Sequence, residues 1–240
     1  MCIRDSSTTV HTVFEESFIY YKPRDVVSGD FPWFMKKGDD VYIAAVDCTG
    51  HGVPGALISI VGFFLLNNIV ENGQHNHPNE ILDALDHAVT TTFKQNSEHS
   101  KIKDGMDIGL CKINVKDKVI EYSGAHRPLY ILNKEGEINE VKANKFPIGG
   151  GNAYTNKKPF DNFVFQMQEG ESIYFSSDGY PDQFGGEKNR KFGPKRMKQL
   201  LVNSAGKSMT EIHNEFDTQF MEWKGDIKQT DDVLLIGIGF

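Results

Sequence analysis

The chain has 240 residues, a formal net charge of -7, 39% hydrophobic and 25% charged residues. That composition is of the ordinary globular kind, and the length suffices for one large domain or two small ones. The acidic balance excludes the basic field that general nucleic-acid binding needs, so no nucleic-acid partner is expected.

Residues 1–6 lead into no periodic segment, and residues 1–10 are set apart as a disordered or non-native tail. Residues 11–240 show no repeat, low-complexity tract or linker and read as one domain. Residues 10–21 alternate apolar and polar side chains through Phe14, Phe18 and Tyr20, which predicts a first strand. Lys22-Pro23-Arg24 breaks it. Asp30 follows beside Gly29, and the turn Lys37-Gly38-Asp39-Asp40 predicts a hairpin. Its second arm, from Val41 through Val46, is apolar and rich in β-branched residues, and it ends on Asp47. Gly50 and Gly52 flank His51, and Pro54 stands where a helix opens. That helix, residues 54–72, is apolar on nearly all sides and is expected to be buried. Its apolar run, residues 56–66, is too short to span a bilayer. A second helix is predicted over residues 78–95 and a polar loop over residues 96–104.

The period then changes. Short strands are predicted at residues 106–115, 119–123, 129–132 and 138–141, with hairpin turns at 116–118 and 133–136. Residues 163–167 and 172–175 read as a further strand pair. Residues 180–194, rich in glycine and charge, read as an exposed loop. Helices are predicted at 196–202 and 210–220, and a last strand at 233–238. Hairpin-linked strands with helices in blocks indicate an α+β fold. The odd cysteine count (Cys2, Cys48, Cys111) argues against a disulfide framework and points to a reducing, cytoplasmic setting. Because domain-like sequence starts almost at once, a C-terminal piece of a longer protein is expected.

Asp30, Asp47, Asp178 and Asp231 each adjoin a predicted strand. Acids presented at strand ends are candidates for a shared divalent-metal site, since hard cations such as Mn2+ and Mg2+ take oxygen donors. Clustered carboxylates repel one another unless a cation lies among them. Two metals there could activate a water against phosphorus. Each aspartate taken alone reads rather as a turn residue bonded to nearby backbone, and it is the set of four that points to metal.

The stretches VSGDF (27–31), VDCTGHGVPGA (46–56), GMDIGLCKI (105–113), YSGAHRPLYIL (122–132), FPIGG (146–150), FSSDGYPD (175–182) and TDDVLLI (230–236) resemble, in this order, the PPM family of metal-dependent serine/threonine protein phosphatases. The likeness is nearest its SpoIIE-type (RsbU-like) bacterial branch. It implies a PPM-type sandwich of two antiparallel β-sheets flanked by α-helices, with two Mn2+ or Mg2+ at one end. Asp47 would bridge the metals and the Cys48 carbonyl would be a further ligand. Asp178 and Asp231 would hold the second metal, and Asp30 would lie at or near the first. Asp47 and Asp178 are the implied catalytic residues. Asp231 is chosen over Asp232 by motif alignment. The implied substrate is a phosphorylated protein of the anti-sigma-factor-antagonist type. The implied context is a homodimer with an N-terminal sensory or receiver domain, in the cytoplasm or tethered to a membrane.

Lys22, Arg24 and His51 are candidates for binding phosphate, though solvated or turn roles serve them as well. Tyr180 and Pro181 depart from the usual family run and are assigned to a loop over substrate access. His126 reads as a hydrogen-bonded turn residue or a support beside the site. Asp107 reads as a strand residue or a contact to a third, loosely held metal. Two rival functions stay open: a silent PPM-like regulatory binding domain and a small-molecule phosphoesterase.

Overall fold

The computed structural model describes residues 10–95, 104–150 and 157–240. The loop expected at 96–104 lies outside these residues, except Asp104. Among the described residues, thirteen strands and five helices follow in chain order. They are β1 (Ser17–Lys22), β2 (Phe31–Lys37), β3 (Asp40–Cys48), α1 (Gly52–Glu71), α2 (Pro78–Thr92), β4 (Gly105–Asn114), β5 (Val119–Ala125), β6 (Leu129–Leu132), β7 (Ile138–Val141), β8 (Ile148–Gly149), β9 (Phe163–Gln166), β10 (Ser172–Ser176), α3 (Gly179–Asp182), β11 (Phe184–Gly185), β12 (Arg190–Lys191), α4 (Pro194–Val202), α5 (Met209–Lys224) and β13 (Val233–Gly239).

The strands build two main antiparallel sheets, ordered β1-β13-β10-β6-β7 and β2-β3-β4-β5-β9, with β8 on the side of β4. Strand alternation sorts the side chains into three cores. Val41, Ile43 and Ala45 of β3 and Cys111 and Ile113 of β4 meet Phe175, Leu234 and Ile236 between the sheets. The other face of β3 and β4 packs under α1 and α2 through Ala44, Leu110, Leu66, Leu82 and Val89. The outer face of the first sheet takes Leu201 of α4 and Phe216 and Phe220 of α5 against Phe18, Tyr20 and Tyr174. The layers run helix, sheet, sheet, helix, as the α+β reading anticipates.

Four local expectations are corrected. Residues 10–13 form a helical turn, closed by Phe14 N–H donating to Val10 O at 2.8 Å, so the first strand begins only at Ser17. The predicted pair 163–167 and 172–175 is split: β9 joins β5 in one sheet, and β10 joins β13 and β6 in the other. The stretch 180–194 is an exposed loop only in part: residues 186–191 are exposed, whereas Tyr180 is fully buried, with its ring 5.2 Å from those of Phe192, Phe216 and Phe220. Its hydroxyl donates to Phe216 O, which makes it an anchor of the outer core. Finally, α1 is only half covered. Ile58, Gly62, Leu66 and Val70 face the sheet, whereas Val53, Leu57, Ile60 and Phe64 are exposed. At twenty residues α1 also has the length and apolarity of a membrane-spanning helix, more than its uninterrupted apolar run suggests. Trp33 Nε1 donates to Asn67 Oδ1 and Lys37 Nζ to Val70 O, which pins the helix to β2.

Candidate metal centre

One end of the intersheet core is acidic. The face of β3 that carries Val41, Ile43 and Ala45 reaches Asp47 next, and Asp47 stands opposite Asp107 of β4 in the ladder. On the facing sheet, Ser177 extends the β10–β13 pairing. Its N–H donates to Leu234 O, and its Oγ accepts from Leu234 N at 3.0 Å. That registers Asp178 and Asp231 at the same end. The resulting cleft is lined by Asp47, Cys48, Thr49, Gly50, Asp107, Asp178 and Asp231, with a volume of about 240 Å³. Asp178 N–H reaches Asp47 Oδ2 across the gap at 3.3 Å.

Asp30 lies behind this cleft and is almost wholly buried. Its Oδ2 is enclosed and has no hydrogen-bond partner. Burial, then the charge of Asp47, hold its carboxyl well above the usual range. Burial and the charge of Asp178 push Asp47 up to about 7, while Arg127 pulls it back. Asp178 is raised by burial and lowered by Arg127. The neighbouring acids differ in role. Asp231 faces the cleft. Asp232 is buried and accepts the backbone N–H of Arg24 at 2.7 Å and of Gly29 at 2.9 Å, so it straps the segment before β2 to β13. Gly29 is required in that strap, because a Cβ there would stand 2.5 Å from Gly50 O.

The three phosphate candidates do not line the cleft. Lys22 Nζ pairs with Asp217 of α5 at 2.7 Å, Arg24 Nη1 donates to Thr230 O, and His51 lies 3.3 Å from Asp25. The residue that sequence reasoning passed over is Arg127, which appeared there only as a letter in a motif. Its Nη2 lies 2.6 Å from Asp107 Oδ2 and 3.1 Å from Asp178 Oδ2, and its Nε lies 3.8 Å from Asp47 Oδ2. Burial opposes the charge on this guanidinium, and the three carboxylates outweigh it and raise its pKa. Asp107 belongs to the cleft as well. The signal for it was alternation along β4, which places it on the face of Gly109, Cys111 and Ile113. His126 is both things considered for it: a turn residue in the left-handed region (φ 57°) and a partner of Asp107, 2.8 Å from Oδ1.

Hard oxygen donors, one of them a buried carboxylate oxygen without a partner, suit Mg2+ or Mn2+ by chemistry. Among the described residues no three Asp, Glu, His or Cys side chains are already gathered around one point as a ligand set. Asp47, Asp107 and Asp178 surround the guanidinium of Arg127.

Comparison with known proteins identifies the fold and the family. The SiaA PP2C domain of Pseudomonas aeruginosa superposes with a TM-score of 0.83 at 29% identity, over 99% of this chain and 95% of that one. The SpoIIE phosphatase domain of Bacillus subtilis shares the fold, with a TM-score of 0.74 at 18% identity over 94% of this chain and 63% of that one. The phosphoserine phosphatase RsbU of Bacillus subtilis (strain 168) is 26% identical over 159 residues, which are 65% of this chain and 44% of RsbU. The chain thus spans less than half of that relative. The sequence model of the Stage II sporulation protein E (SpoIIE) family matches residues 37–240, so the chain belongs to the SpoIIE family and carries its PP2C-type fold.

Proposed function

We propose that this chain is a Mn2+- or Mg2+-dependent protein phosphatase that hydrolyses phosphoserine or phosphothreonine on a partner protein. The observation that carries the reading is the convergence of Asp47, Asp107, Asp178 and Asp231 from two sheets on one cleft beside Cys48, with Asp30 enclosed behind them. Asp47, the Cys48 carbonyl, Asp178 and Asp231 are the donors we assign to two metals, with Asp30 supporting Asp47. Divalent metals held there would supply a water of lowered pKa and neutralise the charge of the phosphoryl oxygens. Asp47 is central, since it faces Asp107 across the ladder and Asp178 across the cleft. The cleft lies at one end of the sandwich and its Asp178 side chain is 40% exposed, which suits a phosphorylated side chain presented by another protein.

The substrate we assign is a phosphoprotein of the anti-sigma-factor-antagonist type, in keeping with the SpoIIE membership and with the likeness to a phosphoserine phosphatase. A sensory or receiver domain N-terminal to this unit, a homodimer and a cytoplasmic location complete the proposal. The first test is hydrolysis of p-nitrophenyl phosphate with and without Mn2+. Turnover is expected to depend on Mn2+ and to fall by about a hundredfold or more in Asp47→Asn, the scale on which loss of one transition-state contact acts. Equal turnover in the variant would sink the assignment of Asp47.

A further inference from the structure

Arg127 is placed with more care than a solvated arginine needs. The turn between β5 and β6 holds His126 at φ 57°, with its N–H on Asn144 O. Tyr122 OH donates to Arg127 O, and Gly124 is the residue that leaves room for this contact. Arg127 N–H donates to Ala125 O at 2.7 Å. The backbone is therefore fixed on both sides before the side chain enters the acid cleft. There Nη2 bridges Asp107 and Asp178, donating to both. The enclosed Nε points toward Asp47 without a hydrogen bond of its own. The side chain is 15% exposed.

We propose that Arg127 is a built-in cation occupying the bridge between Asp107 and Asp178, so that this bridge holds no metal in the working protein and Asp107 is not a metal ligand. The inference rests on the metal-dependent reading above and deepens it. A third ion at Asp107 was one of the expectations from sequence, and the guanidinium takes that position. Charge balance allows the arrangement. Asp30, Asp47, Asp107, Asp178, Asp231 and the buried Asp232 carry six negative charges when ionised, against five positive charges from two divalent ions and one guanidinium. A third divalent ion would leave the partly buried cluster with excess positive charge beside Arg127, which like-charge repulsion disfavours. A guanidinium also suits the bridge, because its donors are planar and cannot be lost by deprotonation.

The test is Mn2+ binding at equilibrium, counted by dialysis and by the electron paramagnetic resonance signal of free Mn2+. Asp107→Asn is expected to bind as many ions per chain as wild type, since Asp107 serves Arg127. Arg127→Met is expected to take up one ion more, at the vacated bridge, and Arg127→Lys, which keeps the charge, is expected to restore the wild-type count. Loss of an ion in Asp107→Asn, or an unchanged count in folded Arg127→Met, would overturn the proposal. If Arg127→Met does not fold, as judged by circular dichroism, the isosteric Asp107→Asn carries the test. Wild type that binds no Mn2+ while Arg127→Met does would refute the metal-dependent reading and uphold the bridge. No binding in any variant would overturn both.

Discussion

Asp47 is the next-to-last residue of a strand whose preceding inward residues are Val41, Ile43 and Ala45, and the apolar core closes where the carboxylate begins. The same step from apolar to acidic occurs before β2, after β10 and before β13, so a reader of the chain sees four acids at strand ends. What cannot be read from spacing is which of two adjacent acids turns inward to backbone. Asp232 takes two backbone N–H groups, and Asp231 is left to the cleft. Asp232→Ala is therefore expected to cost about 2 kcal/mol or more of stability by stranding those donors, measured by urea unfolding. Asp231→Asn should leave unfolding nearly unchanged and weaken Mn2+ binding instead. The reverse pattern would exchange their roles. Arg127 was not legible for a similar reason. Its position depends on a left-handed histidine and on two sheets approaching one another, neither of which leaves a period in the sequence.

The raised carboxyl of Asp47 makes a further prediction at this scale. A carboxyl whose folded pKa is raised favours the folded state below its unfolded value, and that contribution is lost as pH rises through the folded value. The window for Asp47 runs from about 4 to about 7, and Asp30 and Asp178 are displaced in the same direction. In EDTA, the melting temperature should fall between about pH 4 and about pH 7. Saturating Mn2+, which binds ionised carboxylates, should offset the fall. A melting temperature in EDTA that climbs over this range would count against the clustered acids.

At the scale of elements, most strands and helices were visible as periods of two or of nearly four. β6 and β7 fall where alternation and turn residues place them. The exceptions have physical causes. β9 and β10 are neighbours in sequence but belong to different sheets, because residues 167–171 carry the chain across the sandwich rather than around a hairpin. Period cannot separate these outcomes. Helix α1 is apolar all round, so its composition did not tell which face is covered. Two neighbouring positions test the observed answer. Leu66→Ala, facing the sheet, should cost about 2–5 kcal/mol, whereas Phe64→Ser, on the exposed face, should change stability by roughly 0.5 kcal/mol or less. Equal costs would mean that the exposed stripe is covered in solution.

Taken whole, the molecule is four layers whose central core is apolar along most of its length and acidic at one end. The sheets give that end its rigidity: hydrogen-bonded ladders run through Asp47 to Cys48, are continued by Ser177 just before Asp178, and take in Val233 just after Asp232. A site built from two sheets holds its donors at fixed separation, which suits chemistry by positioning and electrostatics. The central claim is that this acidic end holds divalent metal and uses it to hydrolyse a phosphoester on a protein. The most direct measurement is release of inorganic phosphate from a phosphoserine peptide, followed over a Mn2+ titration for wild type and Asp47→Asn at matched folding. Saturable release that needs Mn2+, is abolished by EDTA and is lost in Asp47→Asn is the predicted result. Folded wild type that binds Mn2+ yet releases no phosphate, or Asp47→Asn that releases it at the wild-type rate, would contradict the account.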